Sequence, residues 1–172
     1  YIINFIKLYK YNIFNLYTMQ LNDTWCFYFH DPYNTEWDFK SFKLITSIKT
    51  VDNFISIFDC YKDILSKGMF FIMREGILPI WEDELNKKGG CFSYKLYNDN
   101  FIEKFFEILA LLVGEKLGAD DIISKNINGI SICPKKNYYI VRIWIRNSIY
   151  AIKEKYNIHI PKYTTILYKN HS

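Results

Sequence analysis

Glycine and proline are scarce, at 7 and 4 of 172 residues, and no stretch gathers them with serine into a linker. With no internal repeat or low-complexity run either, residues 21–172 read as a single domain, long enough to bury a real core. The four cysteines, Cys26, Cys60, Cys91 and Cys133, form no C-x-x-C pair, which argues against a zinc site. Scattered and with no signal peptide ahead of them, they fit free thiols in a reducing compartment. A Gly-rich phosphate loop and a dinucleotide fingerprint are both missing. No hydrophobic run is long enough to cross a bilayer: the greasy opening, YIINFIKLYKYNIFNLYT, is broken by Asn4, Lys7, Lys10, Asn12 and Asn15. It also lacks the unbroken apolar centre of a signal peptide. Residues 1–20 are therefore predicted to be an N-terminal extension, an amphipathic helix laid on the domain or on a partner, and Met19 offers an alternative start. Positive charge is thin as well. A net charge of +4 falls short of a duplex-DNA binder and suits a small anionic ligand or a short stretch of RNA.

What the chain does have is rings. Aromatic residues make up 19% of it, with 15 Tyr, 14 Phe and 4 Trp. For most Tyr and Phe, a genome biased toward Ile, Asn, Lys, Tyr and Phe is explanation enough; the tryptophans are a separate matter. Alternation marks strands at 24–30, 40–47, 68–74 and 91–97. INGISIC and YYIVRIWI, joined by the turn PKKN, predict a hairpin. TTILYK reads as a last strand. Thr50 caps a helix over 51–65, whose Val51, Phe54, Ile55, Phe58, Tyr61 and Leu65 share one face. A second helix carries Phe101, Phe105, Ile108, Leu109, Leu112 and Val113 and ends at Gly114–Gly118, and a third is predicted over 148–156. Hairpins dominate, so the sheet is expected to be mostly antiparallel with helices on one face: α+β.

The strongest local signal is Trp81-Glu82-Asp83-Glu84, inside a polar loop punctuated by Gly and Pro. Three readings stand open for it: a Trp folded back as a plug beside solvated acids, a catalytic or metal-binding carboxylate cluster, or a stacking platform with an acceptor beside it. No histidine accompanies the cluster, since His30, His159 and His171 lie elsewhere in the sequence. Trp37, in the second loop NTEWDF, favours the platform. An indole face attracts a cation by about 2 kcal/mol when desolvated, and base stacking on an aromatic adds roughly 1–3 kcal/mol. A carboxylate is an acceptor-only fork, and the guanine edge offers two adjacent donors, a contact worth about 1–3 kcal/mol. Methylation at the ring nitrogen makes guanine cationic and strengthens both.

The run GILPIWEDELNKKGG resembles the signature loop of the cap-binding translation initiation factor 4E family. TWCFYFHD followed by Trp37 is similar to the family's first strand and stacking Trp, and TVDNF to the start of its first helix. LALLVGE, Val141-Arg142-Ile143-Trp144 and ILYKNH follow in order, so the resemblance covers Leu21 to His171. It implies a curved sheet of about eight strands with three helices on its convex back. It implies no enzyme activity and no cofactor or metal, but binding of the 7-methylguanosine cap of messenger RNA: Trp37 and Trp81 stack the base, Glu82 holds its edge and Trp144 meets the methyl group.

Phosphate contacts fall to Lys135, Lys136 and Arg142. The sequence departs from the family there, with Cys91 where an Arg follows the Gly-Gly pair and Ile140 where a Lys is expected. On the convex side the resemblance implies a surface for a helical peptide of the scaffold factor, the 4G protein or a diverged counterpart, at Val51, Ile55, Phe106, Glu107 and Ala110. Met19-Gln20 replace the family's His-Pro, and Ile55 replaces its helix Trp, a typical hot-spot residue. Two roles follow: recruitment of capped messages for translation initiation, or cap-binding repression without scaffold recruitment. The family places such a protein in the cytoplasm, with no membrane and no DNA as partner. The AT-rich composition suits a parasite or a large DNA virus, for which the host cytoplasm is meant.

Overall fold

A computed structural model describes residues 19–97, 99, 101–158 and 164–171. Residues 1–18, with the helix expected there, and His159 lie outside the described residues. Seven strands form one sheet: β1 (Gln20–His30), β2 (Phe42–Thr50), β3 (Met69–Arg74), β4 (Gly90–Tyr97), β5 (Ile127–Pro134), β6 (Tyr138–Ile145) and β7 (Leu167–Asn170). Their order is β2-β1-β3-β5-β6-β4-β7, and every pairing is antiparallel. The α-helices are α1 (Val51–Tyr61), α2 (Phe101–Val113) and α3 (Asp121–Lys125). The α+β architecture is thus the one expected, with seven strands where about eight were counted.

The period of two along each strand sorts the side chains onto two faces. Phe27, Phe70, Ile72, Ile130, Ile132, Val141, Ile143 and Phe92 point one way and are covered by Phe54 of α1, by Phe105, Ile108, Leu109 and Leu112 of α2, and by Ile123 of α3. The alternate positions, Cys26, Tyr28, Phe71, Met73, Cys91 and Trp144, form a second and smaller cluster on the opposite face. All three helices lie on the first face, so the second is left to loops and to whatever binds there.

Helix starts follow local chemistry. The Thr50 side chain accepts from the Asn53 N–H to open α1, and Asp120 accepts from the Ile123 N–H to open α3. The helix expected over 148–156 is absent: that stretch forms two short 3-10 turns, Ser148–Tyr150 and Lys153–Lys155. Asn147 caps the first turn through the Ile149 N–H. The Tyr156 hydroxyl, donating to the Tyr150 carbonyl, ties the two together. The third helix is α3, whose single apolar anchor, Ile123, is too short a pattern to read from spacing.

One buried ion-pair network holds the sheet to α2. Arg74, at the end of β3, donates from both terminal nitrogens to the Glu115 carboxylate at 2.7 Å. It also bonds the Ile127 and Ser124 carbonyls, contacts Asp23 and lies over the Trp25 ring at 4.5 Å. Glu115 sits just past α2 with φ of 54°. Its N–H bonds Leu112 and the Lys116 N–H bonds Leu111, the closing pattern of a helix that usually places glycine at this position. The ion pair offsets the strain of a side chain in the left-handed region.

Candidate functional site

The sheet face without helices carries a cavity of about 490 Å³, within the range of small-ligand sites. Its lining brings together Trp37, Trp81, Glu82, Trp144, Lys135 and Arg142 with the apolar Phe42, Met69, Phe71 and Ile80. Lys136, in the exposed hairpin turn, is not among the lining residues.

The strand register explains how distant residues converge. Trp37 stands in the β1–β2 loop, at the end of the sheet where His30 pairs with Met69. Trp81 and Glu82 stand in the β3–β4 loop, at the opposite end, where Gly90 pairs with Ile145. Between them Trp144 and Arg142 point from β6 onto the same face, about 6.6 Å apart along the strand at its usual rise. Lys135 follows in the turn beyond. Of the lining residues, the Glu82 carboxylate therefore stands at one end of the floor and Arg142 and Lys135 toward the other, while Lys169, outside the lining, lies at the Glu82 end.

Each loop tryptophan is half exposed, Trp37 at 54% and Trp81 at 47%, and each is backed by a histidine. Trp37 stacks on the buried His30 ring with centroids 4.3 Å apart and planes 11° from parallel. His30 is fixed in turn by its Nε2–H, donated to the Glu36 carbonyl. Trp81 lies nearly parallel to His171, at 5.7 Å and 12°, and the Lys169 ammonium sits 4.8 Å from its ring centre. Trp144 is 3% exposed; its Nε1–H donates to Ser131 Oγ and its edge packs on Phe71, so it is a rigid wall of the cavity.

The three acids of the WEDE run divide cleanly. Asp83 accepts from the Leu78 and Leu85 N–H groups and shapes the loop. Glu84 pairs with Lys87 at 2.6 Å on the surface, a contact that contributes little. Glu82 has no hydrogen bond or ion pair among the described residues and lines the cavity. Beneath them, fully buried Asn86 clamps the loop: its Nδ2 donates to the Leu78 and Ile80 carbonyls, and its Oδ1 accepts from Asn128. Asn128 also holds the Leu85 carbonyl at 2.6 Å. Asn86→Ala removes three of these bonds and orphans buried groups, each worth about 1–3 kcal/mol. The variant is expected to unfold at lower denaturant and to lose ligand affinity together, which urea melts and titration of the same sample would measure.

Cys91, in place of the Arg the resemblance leads one to expect, points inward beside Trp144 and is 4% exposed. Burial pushes its thiol up to about 12, so it stays protonated. His171 donates its Nδ1–H to the Asn86 carbonyl at 2.9 Å, which leaves Nε2 as the acceptor for the Cys91 thiol at 3.2 Å. The ring behind Trp81 is thereby locked in one tautomer. Burial lowers the His171 pKa below its ordinary 6.5, opposed by the Asn86 bond and the Glu82 charge. A histidine held neutral in the fold binds fewer protons than in the unfolded chain, so stability is present above about pH 6.5 and declines as pH falls through that value toward the lower folded pKa. A smaller drop in melting temperature on acidification is expected for His171→Gln than for the wild type, checked by thermal melts at about pH 7.5 and 5.5.

Of the convex-surface residues, Val51, Ile55 and Ala110 line one groove on the helix-bearing side, with Met19, Gln20, Phe54 and Val113. Phe106 stacks on Phe54 and packs on Phe58 instead. Glu107 faces a different hollow, beside Tyr94 and Asn157. Sequence reasoning gave no role to His30, His171, Lys169, Asn86 or Asn128. His30 shares its strand face with Tyr28, and Asn86 stands in the signature loop, but only folding places His171 behind Trp81.

Two exposed indoles, a carboxylate without a hydrogen bond or ion pair among the described residues and two cations thus surround one apolar floor. Comparisons with known proteins agree with the fold that carries it. The family pattern for "Eukaryotic initiation factor 4E" matches residues 20–172, and this chain belongs to that family. It is similar to initiation factor 4E-2 of Schizosaccharomyces pombe, 30% identical over 137 residues, covering 76% of this chain and 55% of that protein. It is similar also to initiation factor 4E of Eremothecium gossypii, 26% identical over 135 residues, with 74% and 62% covered. A 4E homolog of Acanthamoeba polyphaga mimivirus is 26% identical over 139 residues, with 68% and 51% covered. The chain thus spans about half to three-fifths of the length of these relatives. The fold is that of Ascaris suum initiation factor 4E-3, solved with an m2,2,7G cap (TM-score 0.75, 22% identity, 90% of this chain and 92% of that one). It is also that of Caenorhabditis elegans 4E-3 in complex with the 4E-binding protein Mextli (TM-score 0.71, 21% identity, 89% and 93% covered). Among the described residues no helix is long and apolar enough to cross a membrane.

Proposed function

We propose that this chain binds the 7-methylguanosine cap of messenger RNA and delivers capped messages to translation initiation through a scaffold factor of the 4G type. The observation that carries the reading is the cavity lined by Trp37 and Trp81, with Glu82 the one acid of the WEDE run that has no hydrogen bond or ion pair among the described residues. The cationic base stacks between the two indoles, which the histidines behind them hold upright. Glu82 accepts from the two donors of the guanine edge. Trp144 borders the methyl group. Lys135 and Arg142 take the phosphates, with Lys136 near the outer end; as Lys is a point charge and not a fork, the grip on the tail is looser than an arginine pair would give. The groove of Val51, Ile55 and Ala110 receives the scaffold helix. A repressor without scaffold recruitment is the second reading, favoured by Ile55 in place of a tryptophan and by Met19-Gln20 in place of His-Pro; if a scaffold binds, it is a diverged one. Pull-down with scaffold-type helical peptides separates the two.

The test is quenching of tryptophan fluorescence by 7-methyl-GTP, with GTP as control. Strong quenching by the methylated nucleotide, and much weaker quenching by GTP, is expected; equal binding of the two would sink the reading. Because Lys135 and Arg142 meet the phosphates as charges, affinity should also fall as salt rises.

A further inference from the structure

The helix-bearing side holds an apolar groove of about 320 Å³ between the start of β1, the first turn of α1 and the end of α2. Met19, Val51, Phe54, Ile55, Ala110 and Val113 supply its walls. Among them Met19 is 48% exposed, a large side chain left in water at the mouth. Chain continuity points to what covers it. The Val51 N–H donates to the Met19 carbonyl at 3.0 Å, and Gln20 pairs with Thr50. Met19, the first described residue, therefore stands in the groove wall, and Thr18 is bonded directly to it.

Residues 1–18 match the groove in apolar character. Ile2, Ile6, Tyr9, Ile13 and Leu16 recur at spacings of four and three, one stripe of a helix, with Asn4, Lys7 and Asn15 opposite beside Tyr11 and Phe14. With no linker between segment and groove, the effective concentration is in the millimolar range or above.

We propose that residues 1–18 dock their apolar stripe in this groove and so act as a built-in competitor for the scaffold helix. The docked segment buries Met19 and Ile55 and closes the partner surface without touching the cavity on the other face. A partner then binds only the fraction of molecules in which the segment has lifted away, and its apparent affinity falls by that fraction.

The test uses the full chain and needs no nucleotide or scaffold peptide, so its outcome is independent of the cap-binding reading. A photoreactive benzoylphenylalanine at Ile13, followed by mass spectrometry, should crosslink within the same chain to residues 19–22, 51–55 or 110–116. Links only to other regions, or only between two chains, would overturn the proposal, the latter pointing to a second copy in the groove. In parallel, the full chain carrying Ile13→Asp and Leu16→Asp should exchange the amides of residues 51–58 about tenfold faster than wild type, as expected if the groove is open roughly a tenth of the time. Unchanged exchange there would overturn it equally, and exchange of the β3 and β5 amides in the same sample, expected to match wild type, separates groove opening from loss of fold.

Discussion

Glu82→Gln is expected to weaken binding of 7-methyl-GTP by about a hundredfold while leaving the melting temperature unchanged. The carboxylate offers two acceptors to two donors on the guanine edge. Glutamine keeps one acceptor and turns a donor toward a donor, so the bidentate contact worth about 1–3 kcal/mol is lost. A desolvated donor is also left unpaired, at a further cost of about 1–3 kcal/mol. The attraction between carboxylate and cationic base goes with it. A total near 3 kcal/mol is about two decades in affinity. The fold is untouched because Glu82, unlike Asp83 and Asn86, makes no hydrogen bond within its loop among the described residues. Trp81→Ala should lose a comparable amount through the stack and the cation–π attraction. Fluorescence titration beside a thermal melt of each variant measures both quantities; a Glu82→Gln protein that binds like the wild type would remove Glu82 from the site.

The second large effect concerns stability. Glu115→Ala leaves the Arg74 guanidinium buried, with 8% of its side chain exposed, and strips it of its bidentate partner. Breaking a buried pair from one side costs about 3–5 kcal/mol. Asp23 still contacts Arg74, but its side chain is 52% exposed, and a solvent-screened pair of this kind contributes little. Alanine also keeps the left-handed backbone at residue 115 without the contact that offsets it. A fall in melting temperature of about 10 °C is expected for a chain of this size. Glu115→Gly, which relieves the backbone but not the charge, should lose less. Equal losses in the two variants would show that the φ of 54° costs nothing measurable.

Much of the frame was legible because it rests on local periods. Alternation placed β1 and the β5–β6 hairpin, and the spacing from Val51 to Tyr61 placed α1. The stretch 148–156 misled because Ile149, Ile152 and Tyr156 mimic helical spacing. The backbone there is set by the Asn147 cap and the Tyr156 hydroxyl, which no periodicity reports. Strand alternation put Arg142 and Trp144 on one face, and the WEDE run marked the loop, but not which of its acids was free. Lys136 was grouped with Lys135 because both occupy the turn, though only Lys135 reaches the cavity lining.

The sequence by itself determined the family, the antiparallel α+β plan and the two indoles with their nearby carboxylates, since these depend on spacing within a few residues. The tertiary structure alone decided which groups are spent and which are free. Asp83, Glu84 and Glu82 look alike in the chain. They become a loop brace, a surface pair and an open acceptor only when residues 78–87 close around Asn86. The same holds for His30 and His171, more than a hundred positions apart, which strand pairing sets behind Trp37 and Trp81. The Trp81–His171 stack and the Asn86–Asn128 bond join residues distant in sequence and exist only once the sheet has assembled; the contacts within residues 78–87 are local, but which acid makes them depends on how the loop closes.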